Sequence, residues 1–218
     1  MTTRPRIICF ILSFVALSTC SLIQDEPSKR IVHVMALADP SFRARNPHWE
    51  KELRGLVEAA SDFFDREFAI RFDTQSAGAW PAQERIPSTA ALLVKLKQEF
   101  PEEKKDGTYD LIIVFTAEST SRYVASGRPR VDRIGDCRNG LGRYVVTTVN
   151  KVYRYAGPHA ERDYDALALI HELGHIFGAE HVKDVNSIMN ENFDYREQFD
   201  TKNRSVILQN RNCPFAKW

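Results

Sequence analysis

The chain has 218 residues, 43% of them hydrophobic, and its 30 basic and 29 acidic side chains leave a net charge of +1. That length suits one domain with a sizeable core. Balanced charge excludes the basic footprint of a nucleic-acid-binding protein, and the absence of repeats or low-complexity blocks excludes a solenoid or a disordered chain. The first twenty residues do not read as fold. Arg4 and Arg6 precede an apolar run from Ile7 to Leu17, and Ser18-Thr19-Cys20 follows. This is the layout of a secretory signal peptide, with an apolar core too short for a membrane span.

Leu17-Ser18-Thr19-Cys20 is also similar to a bacterial lipobox, with Leu three residues before the Cys and Thr19 where Gly, Ala or Ser is usual. On that reading Cys20 is lipidated and tethers the mature chain to a membrane surface. The alternative is an ordinary signal cut nearby. Both imply export to a compartment where disulfides persist. Of the four cysteines, Cys9 lies in the signal and Cys20 at its end. Cys137 and Cys213 remain as a candidate disulfide, with two free thiols as the alternative. Residues 21–30 read as a short tether with no room for a prodomain, and residues 31–218 as the folded domain.

Within that domain, Ile31-Val32-His33-Val34-Met35-Ala36-Leu37 reads as a first strand, ended by Asp39-Pro40. Asn46-Pro47 has the form of a helix cap followed by a first helical residue. After it Trp49, Leu53, Leu56, Val57, Ala60, Phe63, Phe64 and Phe68 recur at helical spacing, which predicts a long helix packed on a sheet. Ile70-Arg71-Phe72-Asp73 predicts a second strand. Ser88 can cap a helix with Leu92, Leu93, Leu96 and Phe100 on one face, ended by Pro101. The continuous apolar run Leu111–Phe115 suits a central strand buried on both faces. Residues 117–143 carry glycines and Arg128, Arg130, Arg133 and Arg138. Those arginines favour acidic substrates on one reading and make a solvated loop on the other. Tyr144–Val149 is a β-branched strand. Asp163 can cap a helix whose Leu167, Ile170, Gly174 and Phe177 face the core, and Asp200-Thr201 can open a last helix that buries Val206, Ile207 and Leu208.

The chemistry is concentrated in His171-Glu172-Leu173-Gly174-His175-Ile176-Phe177-Gly178-Ala179-Glu180-His181, which holds three of the six histidines. On a helix, His171 and His175 project from one face a turn apart, a spacing that suits two imidazole nitrogens about 2.0–2.1 Å from one zinc ion. Glu172 follows the first ligand directly and is placed as general base toward a water activated at the metal. Gly178 permits the sharp, left-handed turn that brings His181 to the same ion. Three His ligands leave a fourth position open, the mark of a catalytic rather than a structural zinc site. Surface histidines on an ordinary helix are the bland alternative, which the spaced glycine and third histidine disfavour.

The pattern H-E-x-x-H-x-x-G-x-x-H resembles that of the metzincin clan of zinc endopeptidases. Ser187-Ile188-Met189-Asn190 looks like the Met-turn that lies beneath the zinc in that clan. Val182 stands where matrixin-like members usually carry Ser and adamalysin-like members Asp, so the subfamily stays unassigned. Astacin-like and serralysin-like members place a Tyr ligand two residues after the Met; here that residue is Glu191, and Tyr195 is too far along to replace it. The resemblance implies a mixed α/β (α+β) domain: a twisted, mostly parallel sheet, an antiparallel edge strand within residues 117–143, long helices, an active-site helix and a small C-terminal subdomain. It also implies one catalytic Zn2+ on His171, His175 and His181, Glu172 as base, and a peptide substrate bound extended along the edge strand of a monomer. Adamalysin-like domains tie the region before the last strand to the C-terminal segment, as a Cys137–Cys213 bond would do. Two other functions are compatible with the sequence: a catalytically silent binding protein on the same fold, and a zinc hydrolase of another amide such as a cell-wall peptide.

Overall fold

The structure, a computed structural model, describes residues 28–81, 88–101, 109–117, 130–149, 164–191 and 198–216. Cys20 and the signal lie outside the described residues, as do Arg128, Asp163 and Tyr195. Four strands form one sheet, β1 (Arg30–Ala38), β2 (Ile70–Ala79), β3 (Leu111–Thr116) and β4 (Tyr144–Thr148), in the order β2-β1-β3-β4, and every pairing among them is parallel. Parallel neighbours need crossovers. A short helix α1 (Pro40–Arg45) and the long α2 (Trp49–Phe68) link β1 to β2, and α3 (Thr89–Glu99) links β2 to β3. α4 (Tyr164–Ile176) and α5 (Thr201–Asn210) follow the sheet.

The helices lie on both faces of the sheet, and the strand residues sort accordingly. Leu111, Ile113, Phe115 and Val145 join the core beneath α2 and α4. Ile112, Val114, Tyr144 and Val146 face the other way, onto Leu92 and Leu96 of α3 and onto Trp80. That alternation is the period of two expected of strand side chains. All six residues of β3 are buried, as its uninterrupted apolar run predicts. The predicted stripe on α2 is buried from Leu53 to Phe68. Its Phe64 ring sits 5.3 Å from Phe72 and 6.1 Å from Phe177, so the core reaches the segment that leaves α4. Burying each such ring contributes on the order of 1.5–3 kcal/mol.

Five local expectations change. Asp39-Pro40 ends β1 and also starts α1: Asp39 Oδ1 accepts the Phe42 N–H at 2.7 Å, and proline fits the first helical position. Asn46 is therefore the extended C-cap residue that follows that helix rather than the N-cap of α2, which begins at Trp49 with His48 making no side-chain cap bond. β2 runs to Ala79, well past Asp73, because its polar half pairs with β1 through main-chain bonds that need no apolar pattern. Leu208 on α5 is exposed, while Ile207 is buried. The antiparallel edge appears as a single bridge, Val131 to Val145, flanked by bonds from Val146 N to Arg130 O (2.7 Å) and from Asp132 N to Tyr144 O (3.2 Å).

Candidate metal centre

α4 carries the first two histidines on a buried face: His171 is 5% exposed and His175 4%. The helix then stops in two steps. The Gly178 N–H donates to His175 O (3.0 Å) and the Ala179 N–H to Gly174 O (2.9 Å), the paired bonds of a Schellman cap. Gly178 sits at φ +95°, a left-handed conformation. The chain reverses there and returns His181 to the helix end.

The three Nε2 atoms converge, 3.2 Å between His171 and His175, 3.2 Å between His171 and His181, and 3.1 Å between His175 and His181. Ligands about 2.0–2.1 Å from a tetrahedral zinc lie about 3.3–3.4 Å from one another, so the spacing fits that ion. The opposite ring nitrogens are engaged. His171 Nδ1 is 2.7 Å from Ile188 O, and His175 Nδ1 is 2.7 Å from Ala179 O. A carbonyl oxygen only accepts, so both rings carry their proton on Nδ1 and present a lone pair on Nε2. His181 Nδ1 lies 3.0 Å from Glu191 Oε1. Burial, then the neighbouring His175, lowers His171 to about 3. Burial lowers His175 to about 4, against the bond to Ala179 O, which acts to raise it. Both imidazoles are therefore neutral at neutral pH, the form that binds metal. Among the described residues these three histidines are the one His/Cys/Asp/Glu group arranged to hold a metal ion.

Glu172 is next to His171 and 5% exposed. Burial raises its carboxyl to about 7; the Arg130 guanidinium and the Arg130 N–H oppose that rise. Arg130 Nε stands 3.8 Å from Glu172 Oε1, and the arginine side chain is only 17% exposed. Of the arginines predicted for this region, Arg130 alone is described beside the histidines' helix in this way. Arg133 donates to Asn139 O, and Arg138 bonds through its main chain to Asp136. Arg128 lies outside the described residues.

A family model for metallopeptidase family M12, Reprolysin_5, matches residues 28–215. The chain belongs to metallopeptidase family M12. As a member it is a zinc metallopeptidase. The fold is also that of archaemetzincin from Methanopyrus kandleri, solved at 1.5 Å resolution, at a TM-score of 0.54 and 21% identity over 83% of this chain and 95% of that one. Among curated proteins none matches.

In this M12 chain Met189 is fully buried, and its sulfur would lie 2.9 Å from a Cβ added at Gly174. A side chain at position 174, between His171 and His175, would press on that sulfur and, at 2.8 Å, on Phe199 Cε1, and glycine avoids both. The turn around Met189 is tied to its surroundings. The Val182 N–H donates to Met189 O (3.0 Å), and Ser187 Oγ accepts the Met189 N–H (3.1 Å) while donating to Asp200 Oδ2 (2.7 Å). Buried Asn203 brackets the residue before the third histidine, accepting the Glu180 N–H and donating to Glu180 O, both at 2.9 Å. Cys137 and Cys213 form a disulfide, with Cα atoms 5.0 Å apart. Two participants were not visible from spacing. In the sequence Glu191 stands out only as not being tyrosine, and Arg130 is one arginine among several. Their neighbours follow from irregular chain paths, which hydrophobic periodicity does not report.

Proposed function

We propose that this chain is an exported zinc endopeptidase in which His171, His175 and His181 hold the ion and Glu172 is the general base. The observation that carries the reading is the convergence of three Nε2 atoms at 3.1–3.2 Å beside a buried carboxyl. Zinc bound there supplies Lewis acidity and a water-derived nucleophile at neutral pH. Glu172, with its carboxyl near 7, can take a proton from the attacking water and pass it to the leaving amine. Arg130 and its N–H favour the ionised, accepting form of Glu172. The substrate lies extended beside residues 130–132, adding main-chain bonds to that edge. Residues 1–20 direct export, and Cys20 is the site of a lipid anchor. Among the described residues no helix is long and apolar enough to cross a membrane.

The test is cleavage of a peptide library by the zinc-loaded chain beside Glu172→Ala. The wild type should cut, and the variant should bind zinc yet lose roughly 10²–10⁴-fold in rate, the usual worth of general-base catalysis. A fully active variant removes Glu172 from the role. A folded, zinc-loaded wild type that cuts nothing favours the binding-protein reading.

A further inference from the structure

The three imidazoles differ in what holds them. His171 and His175 are buried, and each is fixed by a main-chain carbonyl that no substitution can remove. The His181 side chain is 34% exposed, and a side-chain carboxylate, Glu191 Oε1, lies 3.0 Å from its Nδ1. The chain between the two residues is bonded to itself: the Val182 N–H donates to Met189 O (3.0 Å) and the Asn190 N–H to Ser187 O (3.1 Å). Glu191 is thus presented by the same turn that buries Met189. Its carboxylate is outside the three-histidine group, on the ring edge away from Nε2.

An exposed imidazole with no acceptor can rotate and can carry its proton on either nitrogen. The Nε2–H form of that population points an N–H rather than a lone pair at the ion. A carboxylate at Nδ1 selects the Nδ1–H form, turns the Nε2 lone pair inward, and raises the basicity of that ligand. We propose that Glu191 is the positioning residue for His181 and thereby sets the affinity of the site for zinc. This rests on His181 being a ligand, as proposed above.

The experiment is chelator competition against the zinc-loaded full chain, with Glu191→Ala, Glu191→Gln and His181→Ala compared to wild type. Glu191→Ala should lose roughly 10–100-fold in zinc affinity, the usual effect of removing a partner of a ligating histidine. Glu191→Gln keeps an acceptor without the charge and should fall in between, several-fold below wild type, since charge-assisted bonds are roughly twice as strong. The metal-free thermal midpoint should stay close to wild type in both, because the pair is largely exposed. Wild-type zinc affinity in Glu191→Ala, with His181→Ala impaired, overturns the proposal. If Glu191→Ala does not fold, wild-type affinity in Glu191→Gln overturns it. Wild-type affinity in His181→Ala would instead overturn the ligand assignment on which the proposal stands.

Discussion

Gly178→Ala should lower both stability and metal affinity, by amounts that follow from three features of the turn. The residue sits at φ +95°, where a side chain costs roughly 1–2 kcal/mol. A Cβ there would come within 2.5 Å of both Asn210 Nδ2 and Gly135 O. Asn210 cannot swing away without cost, because its Nδ2 donates to Phe177 O at 3.0 Å. Relief must come from the backbone, at the expense of the bonds from Gly178 N and Ala179 N that close the helix, each worth about 1 kcal/mol. The sum is about 2–4 kcal/mol, which for a domain of this size lowers the thermal midpoint by roughly 4–16 °C. His181 follows three residues later, so zinc affinity should fall along with the midpoint. Calorimetry of metal-free and zinc-loaded protein gives both numbers. Gly55→Ala is the matched control: it lies in α2 with nothing within 4 Å of an added Cβ, and it should be neutral or stabilising by about 0.5–1 kcal/mol. A Gly178→Ala midpoint within about 1 °C of wild type, with unchanged zinc affinity, would refute the reasoning.

Acid should destabilise the metal-free protein with a slope that depends on Glu172. His171 and His175, held to about 3 and about 4 when folded, gain protons on unfolding, so stability is lost as pH falls from about 6.5 toward 4. Glu172, raised to about 7 when folded, releases a proton on unfolding, which offsets one of those two between about 4.5 and 6.5. The net is one proton, about 1 kcal/mol per pH unit, and Glu172→Gln should roughly double it in urea titrations run across that range; an unchanged slope would contradict the burial assigned to Glu172. Reduction of Cys137–Cys213, which closes a loop of 76 residues' separation, should cost about 2–4 kcal/mol in the same assay, and a Cys137→Ser, Cys213→Ser variant as stable as the wild type would show the bond to be energetically idle.

Much of this was legible because the relevant signals are local or periodic. The α2 stripe, the Ser88 cap and the apolar β3 each report a neighbourhood fixed by repeat or by a single bond. The three histidines and Gly178 share one short segment, so their spacing alone implies convergence. What escaped depends on partners distant in sequence or on two roles for one residue. Asp39-Pro40 both ends β1 and opens α1, and a strand reading uses only the first role. The polar half of β2 is a strand because β1 offers it main-chain partners. Glu191 meets His181 only because the turn around Met189 closes on Val182, a path set by hydrogen bonds rather than by pattern.

Arg130 makes the same point at the proposed base, Glu172, and shows how the fold sets opposed forces there. Burial alone would leave Glu172 protonated near neutrality and unable to accept. A carboxylate left at the ordinary pKa of glutamate would be ionised but a weaker base. The Arg130 guanidinium, 3.8 Å away, and the Arg130 N–H push toward the ionised form against that burial, and the balance falls at about 7. A divalent cation on the adjacent histidines adds charge of the same sign as Arg130 and moves the balance further toward the carboxylate. The arginine is delivered to this place by the edge: Arg130 O accepts the Val146 N–H at 2.7 Å, so the main chain of β4 fixes the residue whose side chain and N–H meet Glu172. The edge beside which an extended substrate is proposed to lie thus also tunes Glu172, the group proposed to take the proton from the attacking water.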